Sequence, residues 1–246
     1  VLKWASREIM REIEKRPDGL SHMQFGFRKH RTTHQAILST TLMIDIAHQA
    51  RIGFAMADAD CRAAFDCVIP EIIRLALIAK GVPETMVRFM YSHLTQTKFQ
   101  VCAGGFTSDE QYGGEDQSFG SGQGGGASGA NWVLNQDFIN RALEAAESQA
   151  SIIRHPITHE IATNNGIVFA DDLNQVSMDT TRKRSDAENL ESLRKAAQLN
   201  NDCLRASGGS LNIQKCAFRH LSINNKGKCN DVPNSAITII PSTNSV

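Results

Sequence analysis

Two adjacent aspartates, Asp171 and Asp172, interrupt two apolar runs of β-forming residues at 167–169 and 173–177. Such runs either side of a short break predict two strands joined by a tight turn, with both carboxylates at the hairpin tip. Asp is a favoured turn residue, so the pair alone is ordinary turn chemistry. It gains meaning from Asp60, which directly follows another short apolar strand predicted at 54–59. Carboxylates gathered without neighbouring cations repel one another, so a cluster of them makes physical sense mainly around Mg²⁺. Two hard cations held by three Asp organise a triphosphate and a 3′-hydroxyl for in-line displacement.

The rest of the chain reads as helices and hairpins around these strands. Leu2, Ile9 and Ile13 recur at helical spacing, and Pro17-Asp18-Gly19 ends that helix. A second helix is predicted over 33–51, with Ile37, Leu38, Met43, Ile44 and Ala47 on its buried side and Gly53 as its stop. Residues 71–80 form a helix closed by Gly81, and Pro83 opens another carrying Val87, Met90 and Leu94. Residues 98–102 alternate as a strand, and Gly104-Gly105 marks a hairpin leading to Phe106. The Gly-rich, acidic stretch 107–129 is long for an irregular segment inside a compact domain, which points to a functional loop. Helices are predicted over 130–149 and 186–206, the latter capped by Ser185 or Asp186 and stopped by Gly208. Further strands are expected at 218–223 and 236–240, with Lys226-Gly227 in the turn between them. Antiparallel hairpins mixed with packed helices indicate an α+β fold rather than a doubly wound parallel sheet.

Composition narrows the alternatives. The 246 residues balance 26 Lys+Arg against 26 Asp+Glu, which argues against a strongly basic nucleic-acid binder. No run is long and apolar enough for a membrane span and no signal-peptide pattern opens the chain, so an intracellular location, nuclear or cytoplasmic, is expected. The six cysteines are scattered without a Cys-x-x-Cys pair and read as reduced thiols. His155 and His159 are separated by Pro156 and read as surface histidines rather than metal ligands. The chain does not begin with Met and stops in a polar tail after a strand-like run, so a fragment of a longer product is expected.

Five segments, in order, resemble the fingers and palm of a reverse transcriptase of the retroelement type, as in non-LTR retrotransposons and group II introns. Gln24-Phe25-Gly26-Phe27-Arg28 with Arg31-Thr32-Thr33 is similar to the family's Q-x-G-F-R…R-S/T fingers segment. Asp60-Cys61-Arg62-Ala63-Ala64-Phe65-Asp66 matches D-x-x-x-A-F-D, and Gln123-Gly124 with Ser128 matches Q-G-x-x-x-S. Phe169-Ala170-Asp171-Asp172 matches the [YF]-A-D-D box, and Gly209-Ser210-Leu211-Asn212 with Lys215 resembles G-x-x-L-N-x-x-K.

The resemblance implies a right-hand polymerase: partial fingers at 1–56, palm at 57–223 with the Gly-rich loop 107–129, and a palm edge or truncated thumb connection at 224–246. The antiparallel palm sheet would pack on helices, with the thumb largely missing. It implies RNA-directed DNA synthesis with Asp60, Asp171 and Asp172 as ligands of two Mg²⁺, Mn²⁺ being the alternative ion. Lys215 would stand near the departing pyrophosphate, and Arg28 and Arg31 would bind the triphosphate. Phe65 would lie beneath the incoming sugar and exclude a ribose 2′-hydroxyl, while Gln123 and Gly124 would approach template or dNTP. The implied partners are an RNA template, a DNA primer and dNTPs, with thumb or other polyprotein domains supplied from outside the chain and no membrane. Gly122, Gly126 and Gly129 replace the prolines usual in the family's Gly-rich motif, which implies a looser loop.

Two other readings compete. Asp58-Ala59-Asp60 and Tyr112-Gly113-Gly114-Glu115-Asp116 loosely resemble elements of GGDEF-type nucleotide cyclases, but Gln117 stands where Phe belongs. The chain also reads as a retroelement remnant whose palm only binds nucleic acid. Charge distribution softens the objection from neutrality: residues 1–34 carry eight Lys/Arg against four Asp/Glu, and 107–150 carry one Arg against seven acids. With Arg205, Lys215, Arg219 and Lys226 and no acidic residue over 204–227, the basic stretches offer local phosphate binding within a neutral total.

Overall fold

The computed structural model describes residues 1–114, 120–122, 124–146, 151–223 and 228–231. In chain order the elements are α1 (Leu2–Glu14), α2 (Thr33–Ala50), β1 (Phe54–Ala59), β2 (Cys61–Arg62), α3 (Ala64–Cys67), α4 (Pro70–Ala79) and α5 (Glu84–Gln96). Then come β3 (Lys98–Phe99), β4 (Cys102–Ala103), β5 (Phe106–Thr107), β6 (Tyr112–Gly113), α6 (Ser128–Ala145), β7 (Ser151–Arg154) and β8 (Ile161–Asn164). The last are β9 (Ile167–Phe169), β10 (Asp172–Asp179), α7 (Asp186–Ala206), β11 (Ser210–Leu211), β12 (Ala217–Ile223) and β13 (Cys229–Asp231). They divide into two compact units, Val1–Leu20 with Ala63–Asn135 and Ser21–Arg62 with Gln136–Val246.

The second unit is built on a seven-stranded sheet in which β1 lies between β12 and β10, and β9 also pairs with β10. Residue parity along β1 explains why helices cover both faces. Phe54 and Met56 pack with Val176 and Met178 against Met43 and Ala47 of α2, while Ala55 and Ala57 meet Leu193 of α7 on the other face. Each large apolar side chain buried this way stabilises the sheet by roughly 1.5–3 kcal/mol.

Three expectations about this unit are corrected. The buried face of α2 is Ala36, Met43 and Ala47, whereas Ile37 and Leu38 are 60% and 57% exposed. Its apolar residues are spread around the helix rather than gathered on one stripe, so periodicity does not choose a face; the face bearing Ala36, Met43 and Ala47 meets the sheet. The helix ends at Arg51 in the left-handed conformation rather than at Gly53. Nor is the sheet wholly antiparallel, because β7 runs parallel to β10 through Met178↔Ser151 and Asp179↔Ile152. Strand β7 belongs to an antiparallel hairpin with β8, whose four-residue strands either side of the His155–His159 segment are too short to show a period in the sequence. The 169–172 hairpin, the 217–223 strand and the Ser185 cap of α7 are as expected; Ser185 and Glu188 form a reciprocal capping box. The strand expected at 236–240, the turn at Lys226-Gly227 and the last residues of the 130–149 helix lie outside the described residues.

In the first unit, α1 buries Ala5, Ile9, Met10 and Ile13 on one stripe. Helix α4 starts on Pro70 and packs Ile73 and Leu77 inward, and α5 does the same with Val87, Met90 and Leu94. The turn after α1 is closed tightly: a Cβ on Gly19 would stand 1.9 Å from the Ile13 carbonyl oxygen. Gly104 and Gly105 take φ of 58° and 85° at the β4–β5 turn, as a Gly-Gly hairpin requires.

Candidate active site

Strand order brings together carboxylates that lie more than a hundred residues apart. Ala59, the last residue of β1, is opposite Leu173 of β10, so Asp60 leaves the sheet beside the turn that carries Asp171 and Asp172. That turn is two residues long, since Phe169 pairs with Asp172. Ala170 adopts φ 58° there, a left-handed setting that costs a residue with a Cβ about 1–2 kcal/mol. Ala63, three residues after Asp60, sits at φ 48°, and Phe27 and His30 beside Arg28 are also left-handed. Three of the seven non-glycine left-handed residues among those described, Phe27, Ala63 and Ala170, thus fall in the motif segments, where backbone strain commonly marks function.

The 209–215 segment folds back on Asp60. Strand β11 pairs with β2 through Leu211↔Cys61, and the Asn212 amide donates to the Asp60 carbonyl oxygen at 2.8 Å. Lys215 Nζ lies 3.8 Å from Asp60 Oδ2. Residues 23–26 reach the same turn. Phe25 donates its amide to the Val168 carbonyl at 2.7 Å, and Val168 donates to Met23 at 2.8 Å. This seats Gly26 against the turn so closely that a Cβ would meet the Ala170 nitrogen at 2.1 Å.

Electrostatics register the crowding. The Asp172 carboxyl is pushed above its ordinary value, first by partial desolvation and then by the charges of Asp171, Asp60 and Asp58, with Lys215 opposing. Asp58 is also raised, by burial, against the pull of Arg219. At the far end of β10, buried Asp179 shows the opposite balance. Desolvation raises it, but hydrogen bonds from the Thr181 hydroxyl and the amides of Thr181, Arg184 and Lys183 outweigh that and hold it low. Asp179 is therefore a structural carboxylate and Asp172 a frustrated one. Sequence reading passed over Asp58 as a member of the cluster; the signal was its two-residue spacing from Asp60, which repeats the strand period.

Hard carboxylate oxygens suit Mg²⁺ or Mn²⁺. Among the described residues, however, no three His, Cys, Asp or Glu side chains converge on one metal position. The aspartates share a field, not a ready-made coordination sphere.

The other expected site residues are placed as follows. Arg28 Nη1 donates to the carbonyls of Ser21 and Gln24 at 3.0 and 3.2 Å, so this guanidinium shapes its own loop. Arg31 lies over the Phe25 ring, 4.7 Å from its centroid. Phe65 and the Gly-rich loop belong to the first unit. There the Phe65 ring tilts against Trp132 at 5.9 Å, and its carbonyl accepts from the Ser121 amide at 2.8 Å. Ser128 Oγ donates to the Ser121 carbonyl at 2.8 Å, tying the loop to the start of α6. Gly124 has φ 84° with open space where a Cβ would be. Gln123 lies outside the described residues, as do Glu115 and Asp116 of the cyclase-like segment.

No family model matches the chain and no curated protein resembles it in sequence. Solved structures do resemble it. An apo telomerase from Candida tropicalis, truncated from its C-terminal domain, superposes with a TM-score of 0.55 over 94% of this chain at 11% identity. Telomerase of the same organism in complex with a TWJ fragment of telomeric RNA gives 0.57 over 88% of this chain, again at 11% identity. The chain spans 45% and 33% of those two proteins. At that identity the likeness concerns fold alone: the chain shares its fold with a part of these telomerase structures, and among the described residues no helix is long and apolar enough to cross a membrane.

Proposed function

We propose that this chain is the fingers and palm of a retroelement RNA-directed DNA polymerase, copying an RNA template by extending a DNA primer with dNTPs. The observation that carries the reading is the meeting of Asp60, from the end of β1, with the Asp171-Asp172 turn on the neighbouring strand, inside a fold of the reverse-transcriptase type. Asp60, Asp171 and Asp172 would hold divalent cations, Mg²⁺ by preference. When bound, these ions would activate the primer 3′-hydroxyl and neutralise the triphosphate. Asp58 adds a fourth negative charge to the same field and raises the affinity for a cation.

The remaining residues act by position and charge. Lys215, already 3.8 Å from Asp60, is suited to protonate or neutralise the departing pyrophosphate. Arg31 presents a guanidinium steadied on Phe25 toward the triphosphate, and Arg28 holds the loop that carries it. Phe65 sets sugar selection, and Gln123 with Gly124 lets backbone approach the base pair. The natural protein works in the nucleus or cytoplasm, where RNA templates are found.

Primer extension on an RNA template with Mg²⁺ tests this. Asp171→Ala should cut incorporation by more than about a hundredfold, since several kcal/mol of transition-state charge stabilisation go with the ligand. Equal incorporation by both proteins would sink the mechanism. A cyclic product from GTP alone, without primer or template, would favour the cyclase reading instead.

A further inference from the structure

Helix α1 buries Ala5, Ile9, Met10 and Ile13, and its opposite side carries Trp4, 64% exposed, with Lys3 and Arg7 exposed beside it. Arg7 follows Trp4 by three residues and Lys3 by four, so at 3.6 residues per turn the three side chains stand on one side of the helix. A lone exposed apolar residue is ordinary on a protein surface. What distinguishes Trp4 is its surroundings. Further along α1 the cations are matched, Arg11 lying 2.5 Å from Glu8 and Lys15 2.6 Å from Glu12. Lys3 and Arg7 have no ion-pair partner among the described residues. The same end of α1 is seated against the Gly-rich loop: the Ser6 hydroxyl donates to the Gly126 carbonyl at 3.3 Å, and a Cβ on Gly126 would stand 3.2 Å from the Lys3 Cβ. Gly124, Gly125 and Gly126 are themselves exposed. An aromatic platform, two unmatched cations and a stretch of bare backbone therefore adjoin one another.

We propose that Lys3, Trp4 and Arg7 form a contact site for a single-stranded polynucleotide, one base stacking on the Trp4 indole while the two cations hold the flanking phosphates. Every base offers a π-face and every linkage a negative charge, so this surface complements both halves of the ligand. Glycine backbone in the adjoining loop lets the strand lie close. The choice of ligand rests on the polymerase reading above; the site belongs to the first unit and adds a hold on the strand apart from the carboxylate cluster. Stacking one base on an aromatic ring changes affinity by about 5- to 150-fold. Each phosphate contact on a single strand steepens the fall of log K with log salt by about 0.7.

Fluorescence titration of the 246-residue chain with a short oligouridylate and with the matching oligothymidylate tests the site. The chain has two tryptophans, and Trp132 is only 1% exposed, so quenching reports on Trp4. Both oligomers should quench to saturation and leave the Trp132 emission in place; the tighter one shows whether an RNA or a DNA strand passes here. In anisotropy titrations with labelled oligomers, Trp4→Ala should lose at least about fivefold in affinity, and Trp4→Phe, which keeps a ring, should stay within about threefold of wild type. Arg7→Gln should lower the salt slope by about 0.7. Both side chains are exposed, so the variants should keep the fold, with Tm within about 2 °C of wild type. Absence of saturable quenching by either oligomer, Trp4→Ala within about twofold of wild type, or an unchanged slope in Arg7→Gln overturns the proposal. Quenching by anionic phospholipid vesicles but by neither oligomer overturns it as well and marks α1 as an interfacial helix. Primer, dNTPs and divalent cations are left out of these assays, so their outcome is independent of the Asp171→Ala comparison.

Discussion

Gly26→Ala probes the junction on which the candidate site depends. The new Cβ would stand 2.1 Å from the Ala170 nitrogen, 2.8 Å from its Cα and 3.1 Å from the Phe169 carbonyl carbon. All three are backbone atoms, so no side chain can swing aside. To reach the 3.4 Å at which ordinary contact begins, the turn must retreat by about 1.3 Å. It is held in place by the Phe25–Val168 and Val168–Met23 hydrogen bonds of 2.7 and 2.8 Å and by the pairing of Phe169 with Asp172. Overpacking costs about 1–3 kcal/mol, and each strained backbone bond adds up to roughly 1 kcal/mol. A loss of about 3 kcal/mol follows, or roughly 6–12 °C in Tm for a chain of this size. Thermal denaturation measures the loss, and primer extension should fall with it because Asp171 is displaced. Gly122→Ala is the control: its φ of 67° strains alanine but nothing lies within 4 Å, so it should cost only about 1–2 kcal/mol. A Gly26→Ala protein with Tm within about 2 °C of wild type and undiminished extension would refute the reasoning.

Asp172 and Asp179, at opposite ends of β10, should show opposite pH signatures in urea denaturation with a chelator present. Asp172 is raised, so its folded-state penalty is absent below the ordinary value of 3.8 and sets in as pH climbs through the raised value. Asp172→Asn should therefore stabilise the chain at pH 7 and do nothing at pH 3. Asp179 is lowered, so its contribution is present above 3.8 and lost on acidification; Asp179→Asn should destabilise at pH 7, with the gap closing as pH falls. Ser185→Ala removes the side-chain acceptor of the α7 capping box and should cost about 1 kcal/mol, read as a shifted urea midpoint at constant m. Phe65→Ala should raise ribonucleotide incorporation relative to deoxyribonucleotide in primer extension; unchanged sugar discrimination would remove Phe65 from its proposed role.

Much of the frame was legible because its determinants are local. The 167–177 hairpin, the buried β1, the capped α7 and the Gly104-Gly105 turn each follow from residue type and period over a few neighbours. Failures came where choice depends on partners. Helix α2 offers Ile37 and Leu38 as plausibly as Ala36 and Ala47, and only the distance to the sheet decides between them. The β7–β8 hairpin is built of four-residue strands, and β7 pairs with β10 through residues 27 apart in sequence. Arg28 is an apt phosphate ligand by type, yet its guanidinium is engaged by the carbonyls of Ser21 and Gln24.

The same division runs through the site. From residue types and order alone one can place Asp60 after a strand and Asp171-Asp172 on a turn, because strand and turn preferences are short-range properties of φ, ψ and side-chain shape. Tertiary structure alone decided that these carboxylates share one field, that Asp58 joins them and that Lys215 and Asn212 close on Asp60. It also decided that Gly26 is required by contact with Ala170 rather than by its own backbone angles. Those facts depend on register and strand order, in which a one-residue slip would send every side chain to the other face. The long-range pairing that sets register has no signature in any short window of sequence.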